Sequence, residues 1–174
     1  MSRYNSYTAA IILAGLGLVT PSAAADTEHP SPASSWHLVR TANPRGGRDA
    51  VSMSHTADMT RSDLDLAGVM LRCGEPAGQL EIVIVAVTPF PPRARPDITI
   101  ATDGKEWRFS ARVASPGAEL QLPAEAMGLA AGPWQSAREL AVKVTSPEQS
   151  FGGVIPVMGL GEALATLASS CPAG

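Results

Sequence analysis

Apolar and polar side chains alternate with a period of two along much of this sequence, the pattern of strands with one buried face. The clearest case is Glu106 to Ala114, where Trp107, Phe109, Ala111 and Val113 face one way and Arg108, Ser110 and Arg112 the other. Ala50 to His55 sets Val51, Met53 and His55 against Ser52 and Ser54, and Glu139 to Thr145 turns Leu140, Val142 and Val144 inward. One run breaks the alternation. Leu80 to Val87 is apolar on both faces, which predicts an interior strand covered on both sides. With Val69–Cys73 before it and the turn Gly74-Glu-Pro-Ala-Gly78 between, it forms a central β-hairpin.

Further strands are predicted at Trp36–Arg40, Ile98–Ile100, Glu119–Leu122 and Gly153–Val157, the last an edge strand because Pro156 lacks a donor. Asn43–Gly47, Asp103-Gly104, Ser115–Gly117 and Ser146–Ser150 are turns, and Thr56–Asp65 is a polar loop without a period. Pro123–Ala131 fits a short helix, with proline in its first turn and Gly132 past its end. Gly159–Ser170 is a longer helix, since Leu160, Ala163, Leu164, Leu167 and Cys171 recur at helical steps on one face. The expected fold is mainly β: a two-layer antiparallel β-sandwich of about eight strands, with a short helix and a C-terminal helix packed on the sheet.

The first residues belong to a different class. Arg3, the apolar run Ala9–Val19 and the small-residue end Pro21-Ser-Ala-Ala-Ala25 have the anatomy of a secretory signal peptide cleaved near Ala25. The apolar run is too short to span a bilayer. Residues 26–34, with Pro30 and Pro32, are a flexible tether, and 35–174 are a single β-rich domain. No later segment is long and apolar enough to cross a membrane, so no integral membrane segment is expected after cleavage. The expected location is the periplasm, or outside the cell.

The 174 residues carry thirteen basic and sixteen acidic side chains; without Arg3 the remainder has a formal charge of −4. A mildly acidic, mixed surface argues against nucleic acid as a partner. Export gives the two cysteines meaning. In an oxidising compartment Cys73 and Cys171 are expected to form one disulfide, tying the central hairpin to the last helix. A metal-binding pair of thiolates would call for close Cys-x-x-Cys spacing, which is absent.

Trp36, the phrase Val69-Met-Leu-Arg-Cys73 and the ending Gly159-Leu-Gly-Glu-Ala-Leu-Ala-Thr-Leu-Ala-Ser-Ser-Cys171 together resemble a known family. It is that of the exported type VI secretion-associated accessory proteins of the VasI/TagO type. The C-terminal helix also resembles, more loosely, the invasion-associated locus B proteins. The resemblance implies a periplasmic β-rich accessory protein without known catalytic residues. Pro89–Pro96 has no counterpart in that pattern, and Val157-Met158 replaces the aromatic residue usual before the last helix.

Chemistry is sparse. There is no Gly-x-Ser-x-Gly, and the domain offers only His37 and His55 as imidazoles, His29 lying in the tether. No cofactor motif is present. Met53, His55 and Met59 are a weak candidate for copper, two soft thioethers near one imidazole. Asp58, Asp63 and Asp65 cluster in one loop, but Asp63–Gly68 lacks the fifth and twelfth ligands of a calcium loop, Gly74 standing at the twelfth. The best candidate surface is Pro89-Phe-Pro-Pro-Arg-Ala-Arg-Pro96, a stiff loop in which Phe90, Arg93 and Arg95 could meet a partner. Phe90 capping the sandwich is the alternative. The expected function is that of an exported, non-enzymatic accessory or binding protein serving an envelope or secretion machinery. Its expected partner is another envelope protein or a cell-wall or polysaccharide component. A hydrolase of envelope polymer and a copper-handling protein are the competing readings.

Overall fold

The computed structural model describes residues 35–43, 49–74, 78–114 and 117–171. The signal peptide, the tether and most of the Asn43–Gly47 turn lie outside the described residues, as do parts of the turns at 74–78 and 115–117. The strands are β1 (His37–Thr41), β2 (Ala50–Thr56), β3 (Leu66–Cys73), β4 (Leu80–Ala86), β5 (Asp97–Thr102), β6 (Lys105–Ser110), β7 (Arg112–Ala114), β8 (Glu119–Gln121), β9 (Glu139–Thr145) and β10 (Ser150–Pro156). Two helices, α1 (Glu125–Ala130) and α2 (Leu160–Ser170), and a 3-10 turn at Pro133–Ser136 complete the elements of the described residues.

Two antiparallel sheets result. One has six strands in the order β1-β2-β3-β4-β8-β7, the other four in the order β10-β9-β5-β6. The expected sandwich is present, with ten described strands in place of about eight. Part of the difference is a corner: the expected strand Glu106–Ala114 breaks at Ala111. β6 pairs with β5 in the small sheet, whereas β7 pairs with β8 in the large one. Ala111, fully buried, sits at the crossing and donates its N–H to the Pro96 carbonyl at 2.9 Å. A larger side chain there would have to enter the seam between the two sheets.

The core follows the alternation. Val51, Met53, Val69, Leu71, Ile82, Ile84 and Leu120 of the large sheet join Ile98, Ile100, Phe109, Val142 and Val144 of the small one in a single buried cluster. Each such side chain contributes about 1.5–3 kcal/mol by leaving water. α2 adds Leu160, Ala163, Leu164 and Leu167 to this cluster, the face expected from its spacing. The interior strand β4 is covered differently on its two sides. Ile82 and Ile84 face the core, while Val83, also fully buried, faces outward in register with Met70 and Gln121. Beside it on that outer side Arg72 pairs with Glu81 at 2.8 Å and Glu119 at 2.6 Å. The stem of Arg72 and those of its two carboxylate partners lie on that face.

Both cysteines are used. Cys73, at the end of β3, and Cys171, the C-cap of α2, form a disulfide with Cα atoms 5.6 Å apart across 98 residues of sequence. The other end of α2 is held from the first strand's threshold, where the buried Trp36 donates its indole N–H to the Met158 carbonyl at 3.1 Å.

Gly68 shows how tightly β2 and β3 approach. It follows a bulge in the β3–β4 ladder and has φ of 152°; a Cβ there would overlap the His55 carbonyl oxygen and lie 2.9 Å from the Thr56 Cα. Gly68→Ala is therefore expected to cost ~2 kcal/mol or more in urea unfolding. Gly128→Ala, where an added methyl meets open space on α1, is expected to stabilise by about 0.5–1 kcal/mol. Equal midpoints for the two variants would contradict this account of the bulge.

Candidate functional site

The proline-rich loop between β4 and β5 separates its candidate contact residues. Phe90 is 3% exposed, with its ring 6.1 Å from that of Phe151 and its N–H bonded to the Gly117 carbonyl at 2.9 Å. It caps the core, so the expectation of a presented aromatic is corrected: burial against Phe151 outweighs display. Arg93 and Arg95 do project from the loop and are exposed. Among the described residues neither forms an ion pair.

Arg95 reaches a cleft of about 290 Å³, with Ser110, Arg112, Gln121, Leu122, Pro123 and Ala124 as its other described walls. The fold builds this cleft in three steps. The Pro96–Ala111 hydrogen bond brings the loop exit to the corner between the sheets. With Ala111 turned inward, Ser110 and Arg112 on either side of it turn outward. The β7–β8 register then sets Arg112 opposite Gln121, whose Oε1 accepts from Nε at 3.2 Å and Nη2 at 2.5 Å. No described lining residue is acidic, and Asp97 and Glu125, acids close in sequence to lining residues, are not part of the wall. The cleft can offer guanidinium donors to an anion. A larger cleft of about 670 Å³ lies along Thr102, Asp103, Gly104, Ser136, Arg138 and Glu139, but its charges are of both signs.

The copper candidates are not presented together. Met53 is in the core, His55 is 6% exposed, and Met59 is 82% exposed on the loop after β2. His55 lies edge-on to Trp36 at 5.3 Å, and Nδ1 donates to the Thr56 carbonyl at 2.9 Å. His37 is exposed on β1. Among the described residues no three His, Cys, Asp or Glu side chains converge as metal ligands.

The acidic loop has a structural use that its sequence did not announce. Residues 57–65 run along β10, an edge strand of the small sheet. The Asp58 and Asp63 N–H groups donate to the Val154 and Gly152 carbonyls, and the Asp63 carboxylate and Ser62 hydroxyl accept from the Gly152 and Val154 N–H groups. Gly153 permits this approach, since a Cβ there would lie 2.6 Å from the Ser62 Cα. Asp65 accepts from Thr88 at 2.6 Å. Arg61 joins Asp58 and Glu139 at 2.8 Å each. Neighbouring Gly and Ser residues were the only local sign of this seam.

Hydrogen bonds from the Thr60 hydroxyl, then from Arg61 and the Thr60 N–H, lower the Asp58 pKa from its ordinary 3.8 to about 2. Arg61 is shifted upward, first by its bond to Glu139 and then by Asp58. Among the described residues no helix is long and apolar enough to cross a membrane. Comparison with protein-family models, with curated proteins and with solved structures found no match.

A carboxylate with a depressed folded pKa contributes stability that is present above its ordinary value and lost as pH falls through the folded one. Asp58 should therefore contribute to acid destabilisation between pH 3.8 and about 2. Asp58→Asn is expected to show a shallower fall in unfolding midpoint across that window. Superimposable pH profiles would remove Asp58 from the seam's electrostatics.

Proposed function

We propose that this chain is an exported, periplasmic, non-enzymatic binding or accessory protein that meets its partner through the Arg93/Arg95 side of the sandwich. The observation that carries the reading is the pair of exposed guanidiniums with no ion pair among the described residues, set on a loop anchored by buried Phe90 and Pro96. Several other charged groups in the chain have structural partners: Arg61 lies between Asp58 and Glu139, and Arg72 between Glu81 and Glu119. A preset loop loses little entropy on binding, which favours it as a contact surface.

Export is supported by the apolar run Ala9–Val19 with its Ala-x-Ala ending at Ala25, and by the use of both cysteines in one disulfide. Service to an envelope or secretion machinery is supported by the resemblance of Val69–Cys73 and Gly159–Cys171 to the type VI secretion-associated accessory proteins. The partner in this reading is another envelope protein.

Cell fractionation is expected to recover the protein in the periplasm with a new N-terminus close to Asp26; an unprocessed cytoplasmic chain would contradict export. Cross-linking in whole cells is expected to capture an envelope protein with the unaltered chain and much less of it with Arg93→Ala/Arg95→Ala. Equal capture would remove this loop from the interface.

A further inference from the structure

We infer that the cleft between Arg95 and Arg112 is a carboxylate pocket for an acidic peptide segment, in which one Asp or Glu side chain is shared by the two guanidiniums. The assignment rests on the reading of the chain as a binding protein and names the chemistry of its site. Three features point to it. The two arginines arrive from different elements, the loop exit and β7, so the fold has brought them to one wall rather than placed them side by side in sequence. Arg112 is oriented through Nε and Nη2 by a neutral amide, Gln121, and among the described residues no carboxylate pairs with it. The described lining has no carboxylate of its own to compete for either group.

Size and lining choose among anions. A cleft of about 290 Å³ holds one small group rather than an extended chain. The planar fork of arginine matches the two oxygens of a carboxylate. The apolar part of the described lining is Leu122, Pro123 and Ala124, with no aromatic ring on which a sugar could stack, while the methylenes of an Asp or Glu stem would pack against it. Ser110 places a hydroxyl beside the arginines as a further donor.

The test is an NMR titration of the protein purified after export, following backbone amides of Arg95, Ala111, Arg112 and Gln121. The probes are hexaglutamate, hexagalacturonate and inorganic phosphate. Hexaglutamate is expected to shift these amides and to saturate. Arg95→Gln and Arg112→Gln should each weaken it about tenfold, the usual loss for a hydrogen bond between charged groups. Arg112→Lys, which keeps the charge and most of the packing but loses the fork, should weaken it as well. Arg138→Gln, at the larger cleft, should leave it unchanged. No saturable shift, or an affinity indifferent to Arg95→Gln and Arg112→Gln, would overturn the pocket. Tighter binding of hexagalacturonate or phosphate would overturn its assignment to a peptide carboxylate. Hexaglutamate binding in a protein that captures no envelope partner would count against the proposed function and leave the pocket standing.

Discussion

The link between Cys73 and Cys171 joins parts of the chain that no local interaction could hold together. Cys73 ends a strand whose neighbours on both sides are paired, and Cys171 ends the last helix. Closing 98 residues of sequence removes about 4–5 kcal/mol of chain entropy from the unfolded state. That is comparable with the whole net stability of many domains. The other end of α2 is tied by Trp36 to Met158, so the helix is fixed at both ends while Leu160, Ala163, Leu164 and Leu167 complete the core. Strand, helix and bridge form one unit.

The two sheets need joints of their own, and each joint has a different chemistry. At Ala111 the chain passes from one sheet to the other without a loop, and a buried methyl is what the crossing accommodates. Along β10, the polar segment 57–65 supplies donors and acceptors to an edge that would otherwise be open to another chain. The first joint also makes a surface. By turning Ala111 inward it turns Ser110 and Arg112 out, and by holding Pro96 it delivers Arg95 beside them. The proposed site is thus a by-product of the geometry that closes the sandwich.

Much of this was legible in the sequence, and the limits follow from range. Strands of period two, the apolar run of β4 and the helical steps of α2 are local signals. The cysteine pairing needed only a count and a compartment. Phe90 was legible only as a choice between display and capping. Its flanking prolines set the stiffness of the loop but not its direction, which is decided by Phe151 sixty-one residues later. Arg112 belonged to the outward set of its strand, yet its meeting with Arg95 and Gln121 depends on a corner and a register that alternation does not encode. Trp134 was likewise unmarked: it lies in a 3-10 turn without an apolar period, and is buried against Trp107 and Phe109 at 5.9 and 6.3 Å. The seam at 57–65 looked like a solvated acidic loop because its partners lie about ninety residues away.

The central claim is that the bridge pins α2 onto a sandwich that the hairpin already organises. Hydrogen exchange followed residue by residue, in the oxidised protein and after reduction, tests it most directly. Reduction should raise exchange of the α2 amides far more than that of the β3–β4 amides, since the sheet keeps its pairing and the helix loses its anchor. Equal loss of protection in helix and hairpin, or no change in α2, would contradict it.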